Sequence, residues 1–196
     1  IQTGAGAVLN RLKPTAGSSL VVFGCGTVGM SAIMAAHLCP CKNIIAVGGN
    51  EESLVLAKEL GATHTINRKK CDCIVSEIKK ITEGGADYAI DTSGVPDFVK
   101  KALACVKFLG TAVVLGVTGE LTIQVQEELM GEGKSLIGIV EGDSNPKLFI
   151  PQLISYYKQG KFPFDKLIRV FEFDEINEAF EASHSGKAIK ALLKMR

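Results

Sequence analysis

The sequence predicts an α/β protein: a doubly wound, parallel sheet of six strands, followed by a C-terminal segment that returns to a second domain. Three observations carry this expectation. Short apolar runs alternate with helical patterns with little filler between them, as in a parallel sheet covered on both faces. The first run enters its helix through a tight glycine turn, Gly24-Cys25-Gly26-Thr27-Val28-Gly29. After Val140 the rhythm changes, and the remaining tail is too short for a core of its own.

Leu20–Phe23 reads as the first strand and Val28–Leu38 as its helix. Ile44–Val47 is the second strand, and Glu51–Leu60 a helix with Leu54, Ala57 and Leu60 on one face. Gly61 ends that helix as a natural C-terminal cap. His64–Ile66 is a short third strand. It precedes an amphipathic helix over Asp72–Ile81, with Ile74, Val75, Ile78 and Ile81 inward, closed by Gly84-Gly85. Ala86–Asp91 is the fourth strand, Pro96–Leu109 a helix, and Thr111–Leu115 and Lys134–Val140 the last two strands. The expected order is 3-2-1-4-5-6, with a ligand over the ends of strands 1 and 4, where the winding reverses.

Beyond them, the pattern predicts a helix over Pro146–Lys158, a strand at Leu167–Phe173, a helix at Asp174–His184 and a strand at Ala188–Leu193. Asp174 is placed to cap the second of these helices. The division falls at residues 1–145 for the sheet domain and 146–196 for the bridging helix and the return. The main body of the second domain is expected before residue 1, which is Ile rather than Met.

The glycine spacing has a physical cause. Gly24 permits the sharp turn, Gly26 lets backbone approach a pyrophosphate, and Gly29 allows close packing of helix on strand. The helix N-terminus then offers unpaired N–H groups and the positive end of its dipole to phosphates. A dinucleotide site is the expectation, against a merely structural turn. Residues 14–41 carry no charged side chain, yet glycines and Thr27 interrupt the run, so a buried strand and helix is read rather than a membrane span.

Composition narrows the function classes. The chain has 196 residues, 46% of them hydrophobic, and a net charge of +1. Charge of both signs is spread along it, without the footprint expected for nucleic acid or an anionic membrane. No signal or transit peptide is read, and a cytoplasmic location is expected. The six cysteines (25, 39, 41, 71, 73 and 105) include the pairs Cys39-Pro-Cys41 and Cys71-Asp-Cys73, not the C-x-x-C spacing of structural zinc. Free thiols are the default in a chain of this size. His37, His64 and His184 lie in different elements and suggest no triad.

Over essentially its whole length the chain resembles the cofactor-binding Rossmann half of zinc-type, medium-chain alcohol dehydrogenases. The matching pieces are Thr3-Gly4-x-Gly6, the glycine turn, Ala57-Lys-Glu-Leu-Gly-Ala62, Ile66-Asn67 and Gly85-x-Asp87. They continue through Gly110-Thr111, Gly116-Val117, Ile176-Asn-Glu-Ala-Phe180 and Ser185-Gly-Lys187. Val140-Glu-Gly-Asp-Ser144, Phe149-Ile-Pro151 and Gly160-Lys-Phe-Pro-Phe164 are similar to the aryl-alcohol (benzyl alcohol) branch.

The resemblance implies an oxidoreductase that moves hydride between NAD or NADP and a primary, aryl alcohol or aldehyde. It implies zinc ligands in an N-terminal domain ahead of Ile1, so that this chain holds no metal or catalytic residue and is inactive alone. Gly24, Gly26, Thr27 and Gly29 match the pyrophosphate turn, Val28 the residue behind the nicotinamide, and Thr3 a threonine beside it. Thr92, Gly116 and Val117 fall at strand ends lining the cleft, and Lys190 where a basic residue faces the pyrophosphate. The resemblance also implies a homodimer through the sixth strand, 134–140, whose apolar residues are Leu136, Ile137, Ile139 and Val140.

One departure matters. The acid expected about twenty residues after the last glycine, which grips the ribose 2′-hydroxyl of NAD, is replaced by Gly48 in Gly48-Gly49-Asn50. Ser53 stands where the family often has Lys, and Arg68 and Lys69 are the basic candidates for a 2′-phosphate. NAD and NADP both stay open. Two other readings also remain: a zinc-free reductase of quinones or enoyl substrates, and a non-catalytic nucleotide-sensing module.

Overall fold

The computed structural model describes residues Ile1–Met195. A helix α1 (Gln2–Gly6) runs on into a π-helical stretch, Ala7–Leu12, for which the sequence reading assigned no element. Its glycines explain the Thr3-Gly4-x-Gly6 pattern. A Cβ at Gly4 would fall 2.0 Å from the Val28 carbonyl oxygen, and one at Gly6 2.3 Å from that of Gly142.

Strand β1 (Ser19–Phe23) is followed by α2 (Thr27–Leu38), β2 (Asn43–Gly48), α3 (Glu51–Glu59), β3 (His64–Asn67) and α4 (Ile74–Ile81). Then come β4 (Ala86–Asp91), α5 (Pro96–Cys105), β5 (Val106–Val114) and β6 (Ser135–Gly138). These six strands form one sheet in the order β3-β2-β1-β4-β5-β6, every pair parallel, as the sequence pattern predicts.

Alternation along the central strands divides the core. Leu20, Val22, Ile44 and Ala46 pack with α2, whose residues Gly29–Ala36 are all buried. Val21, Phe23, Ile45 and Val47 face the opposite way, against Ile74 and Ile78 of α4 and Ala102 and Leu103 of α5. Strands buried on both faces read as unbroken apolar runs. Within the uncharged segment 14–41, β1 and Gly29–Ala36 are core, and among the described residues no helix is long and apolar enough to cross a membrane.

Helix α5 stops at Cys105, four residues short of the predicted Leu109, and its last expected turn becomes the start of β5. Val106 pairs with Ala86, the register then shifts, and pairing resumes at Tyr88 with Thr111. Leu109 adopts φ +62°, which a helix cannot contain, and Phe108 and Leu109 are exposed, so no burial holds a further turn.

After β6 come α6 (Pro146–Lys158), β7 (Ile168–Glu172), α7 (Ile176–His184) and β8 (Lys190–Lys194). Phe149, Leu153, Phe162 and Leu167 still join the main core. β7 and β8 pair in parallel as a separate two-stranded sheet, with a small cluster of Phe171, Ala179, Ala182 and Ala188. The capping box ahead of α7 is made by Glu172 and Glu175 around a 3-10 turn, not by the predicted Asp174: the Glu172 N–H donates to Glu175 Oε2 at 2.9 Å.

Asp87, in the Gly85-x-Asp87 motif, ties three strands together. It accepts from the Ser19 N–H at 2.8 Å, where β1 begins, and from Lys107 Nζ on β5 at 2.6 Å. Burial alone would raise this carboxyl, but Lys107 and the Ser19 N–H hold it below the ordinary carboxylate range. A depressed folded pKa stabilises above the unfolded value, and the stabilisation is lost as pH falls through the folded one. Asp87→Asn should therefore cost about 1 kcal/mol at neutral pH. Urea titrations at falling pH should show the gap to wild type closing through and below the ordinary carboxylate range.

Candidate functional site: the glycine turn and the adjoining cavity

The turn from β1 into α2 is held by contacts within the chain. Gly24 has φ +104°, and its N–H donates to the Val47 carbonyl at 2.9 Å. The Thr92 hydroxyl, just past β4, donates to the Phe23 carbonyl at 2.9 Å, and a Cβ on Gly24 would meet Thr92 Oγ1 at 2.4 Å. A Cβ on Gly29 would fall 1.9 Å from the Gly24 carbonyl oxygen. Gly24 and Gly29 are therefore required by the turn itself.

Gly26 is different. It is the N-cap of α2, in extended backbone, and a Cβ there would have nothing within 4 Å. Open space thus lies directly at the end of a helix whose first N–H groups have no intrahelical partner. The chain needs no glycine there for its own packing, and an anion brought to that end is what the empty space suits.

The C-terminal return crosses the same turn. Thr27 donates through Oγ1 to the Ile189 carbonyl at 2.8 Å, which brings the exposed Lys190 beside the start of α2. Lys190 also lies near Ile1, so the start of α1 converges here too. Val28 is half-buried, and its carbonyl meets the Gly4 backbone of α1. On the far side, Gly116 is pressed on Gly94, with a Cβ position 2.2 Å from the Gly94 nitrogen. The Val117 side chain beside it is fully exposed and touches no wall in this chain.

A cavity of about 340 Å³ opens at the ends of β1, β2 and β4. Phe23, Gly24, Cys25, Gly48, Gly49, Arg68, Ser93 and Phe98 line it. Burial pushes the Cys25 thiol up to about 12, so it stays neutral beside the turn. Asn50 is committed as the N-cap of α3, its Oδ1 accepting from the Ser53 N–H at 3.2 Å. Asp91, fully buried, accepts from Ser93 N and Oγ and from Gly94 N at 3.2, 2.6 and 3.1 Å, and so shapes the loop over the cavity. Ser93, Phe98 and this role of Asp91 were not picked out in the sequence reading; the run Asp91-Thr-Ser-Gly94 at a strand end was the available signal. A larger cavity of about 560 Å³ near His37 and Tyr156 contains none of the predicted residues.

A family model described as zinc-binding dehydrogenase matches residues 27–155. The chain belongs to that family. A geraniol dehydrogenase of Castellaniella defragrans is 38% identical over 98% of this chain and 52% of its own length. A benzyl alcohol dehydrogenase structure from Acinetobacter calcoaceticus is 44% identical with a TM-score of 0.95, over 100% of this chain and 54% of that one. An alcohol dehydrogenase zinc-binding domain protein from Burkholderia ambifaria, 43% identical, also superposes at 0.95, over 100% of this chain and 53% of its own. The chain thus spans about half the length of these relatives. The family implies a nicotinamide dinucleotide and zinc. Among the described residues, no group of three or more His, Cys, Asp or Glu side chains could hold a metal ion.

The two glycines in the turn separate structure from binding. Gly26→Asp should retain a native circular dichroism spectrum, since its Cβ meets open space, while calorimetry finds dinucleotide binding weakened by more than about tenfold. Gly29→Ala should instead lower the thermal midpoint sharply, because no backbone shift within the turn accommodates its Cβ.

Proposed function

We propose that the chain is the dinucleotide-binding part, residues 1–145 with a return over 146–196, of an alcohol dehydrogenase acting on a primary, aryl alcohol. The observation that carries this is the open space at Gly26, on the N-terminus of α2, beneath the Thr27–Ile189 bond. The similarity to benzyl alcohol and geraniol dehydrogenases supports the substrate class.

Bound nicotinamide would accept hydride from the alcohol carbon, with the hydroxyl proton released as the aldehyde forms. Gly24, Gly26, Thr27 and Gly29 would seat the pyrophosphate, Thr3 and Val28 would flank the nicotinamide, and Lys190 would face the phosphates. Gly48, Asn50, Thr92, Gly116 and Val117 would border the rest of the cofactor, Thr92 acting by holding the turn. Zinc, where present in this family, serves as a Lewis acid. Its ligands are proposed to come from outside residues 1–196, where the alcohol pocket would also be completed. Exposed apolar side chains on the β7–α7–β8 unit, Val170, Phe180 and Leu192, support a further domain packed there. All six cysteines are free, which supports a reducing, cytoplasmic compartment.

On this reading the chain binds NAD or NADP by calorimetry but does not oxidise benzyl alcohol. With zinc added, absorbance at the reduced-nicotinamide band should not rise above the protein-free rate. Robust zinc-dependent turnover would place the metal ligands within this chain and refute the division of labour.

A homodimer through residues 134–140 is part of the proposal. β6 is an edge strand, and an unpaired edge is a template for a two-fold partner. Ile139 is not part of the free edge: it is buried, and its N–H donates inward to Val114 at 3.2 Å. By alternation, the Gly138 N–H faces away from β5. Gly138→Pro should therefore leave the fold intact and convert a dimer to a monomer in light scattering. A monomeric wild-type chain at micromolar concentration would eliminate this contact.

A further inference from the structure

The end of β2 presents an unusual corner. A side chain at position 48 has no room: its Cβ would lie 2.8 Å from Cys25 Sγ and 3.1 Å from Leu54 Cδ2. The acid that binds a ribose 2′-hydroxyl in NAD sites is thus absent, and its place is taken by the cysteine of the glycine turn. At the next position the backbone is bare for a different reason. A Cβ on Gly49 would meet Arg68 Nε at 2.8 Å and its Cζ and Nη2 at 3.3 Å, so the guanidinium lies across the Gly49 backbone.

Arg68 is held there from two sides. Its N–H donates to the Gly48 carbonyl at 2.8 Å, and its Cζ sits 5.6 Å from the Phe98 ring centroid. Among the described residues no carboxylate pairs with it. The nearby acid Glu51 is already engaged, by Lys70 at 2.6 Å and Asn67 at 2.6 Å. Glu52, the other acid in that first turn, is exposed. Asp97 is bound to Lys101, which shares the Phe98 ring at 5.2 Å from its centroid. The corner therefore combines a planar cation without a carboxylate partner, bare backbone, and a cavity lining that includes no carboxylate to accept from a ribose hydroxyl.

We propose that the corner formed by Cys25, Gly48, Gly49 and Arg68 is a seat for the 2′-phosphate of NADP(H), and that the protein prefers the phosphorylated dinucleotide. The inference rests on the reading of the cavity as an adenosine site. A guanidinium fork matches phosphate oxygens in two parallel bonds, and a 2′-hydroxyl alone gives it neither charge nor that geometry. A carboxylate at position 48 would repel the phosphate; the Cys25 thiol, being neutral, does not.

The test uses adenosine fragments, which do not depend on the nicotinamide or on any other domain. Calorimetry on the 196-residue chain should find 2′,5′-ADP bound more tightly than 5′-AMP by about tenfold or more. NADP and NAD should differ in the same direction. Arg68→Gln, at an exposed side chain, should bring the ratio of the two fragments close to one. The double variant Cys25→Ala/Gly48→Asp, which makes room for a carboxylate, should reverse the preference. Equal or weaker binding of 2′,5′-ADP by the wild type, or a ratio untouched by Arg68→Gln, would overturn the 2′-phosphate seat while leaving the adenosine site standing. Binding of neither fragment would overturn both.

Discussion

The Gly24 carbonyl oxygen and the backbone of Gly29 approach so closely that a single methyl between them would overlap by more than an ångström. Because that contact is open only to glycine, α2 can begin immediately at the end of β1 and point its first N–H groups out of the sheet. The remaining site contacts are arranged around this approach. Thr92 reaches across from β4 to hold the Phe23 carbonyl, and Val47 on β2 accepts from Gly24, so both neighbours of the central strand brace the turn. The turn is thus held in place by the sheet itself, and an anion that met the end of α2 would find little left to order.

Two segments distant in sequence complete the site. α1 lies on α2 through the bare backbone at Gly4, and the return strand is pinned through Thr27 to Ile189. The first brings Thr3 to the turn and the second brings Lys190. Residues near both ends of the sequence thus pack against the one turn. The Thr27–Ile189 bond fixes the return strand against the start of α2.

Most of the sheet was legible because its signals are local. A strand buried on both faces needs an unbroken apolar run, and the helices between strands carry their own periodicity, so order and direction followed from pattern alone. The failures were at places where tertiary contacts outweigh local preference. Residues 106–109 continue a plausible helix, yet Val106 finds a partner in Ala86 and Lys107 an ion pair in Asp87, and the chain takes the strand. Asp174 has a good capping side chain, but the chain enters α7 through a 3-10 turn, which shifts the cap to Glu172 and Glu175. The segment 1–12 opens on Gly4 and Gly6, poor helix formers, so local preference argues against a helix there; it is helical because its small residues fit between α2 and the Gly142 turn.

The amino-acid sequence by itself determined the fold class, the strand order, the glycine turn and the lack of an acid at position 48, since each is written in contiguous residues. Only the tertiary structure decided what replaces that acid. Cys25, Gly48, Gly49, Arg68 and Phe98 come from four different segments, brought together by the register of β1, β2 and β3 and by α5 packing over them. Arg68 and Lys69 are equivalent in the sequence, both basic and both just past the third strand. Arg68 lines the cavity at the end of β2 and Lys69 does not, because the backbone bond from Arg68 to Gly48 and the Phe98 ring hold that one guanidinium over Gly49.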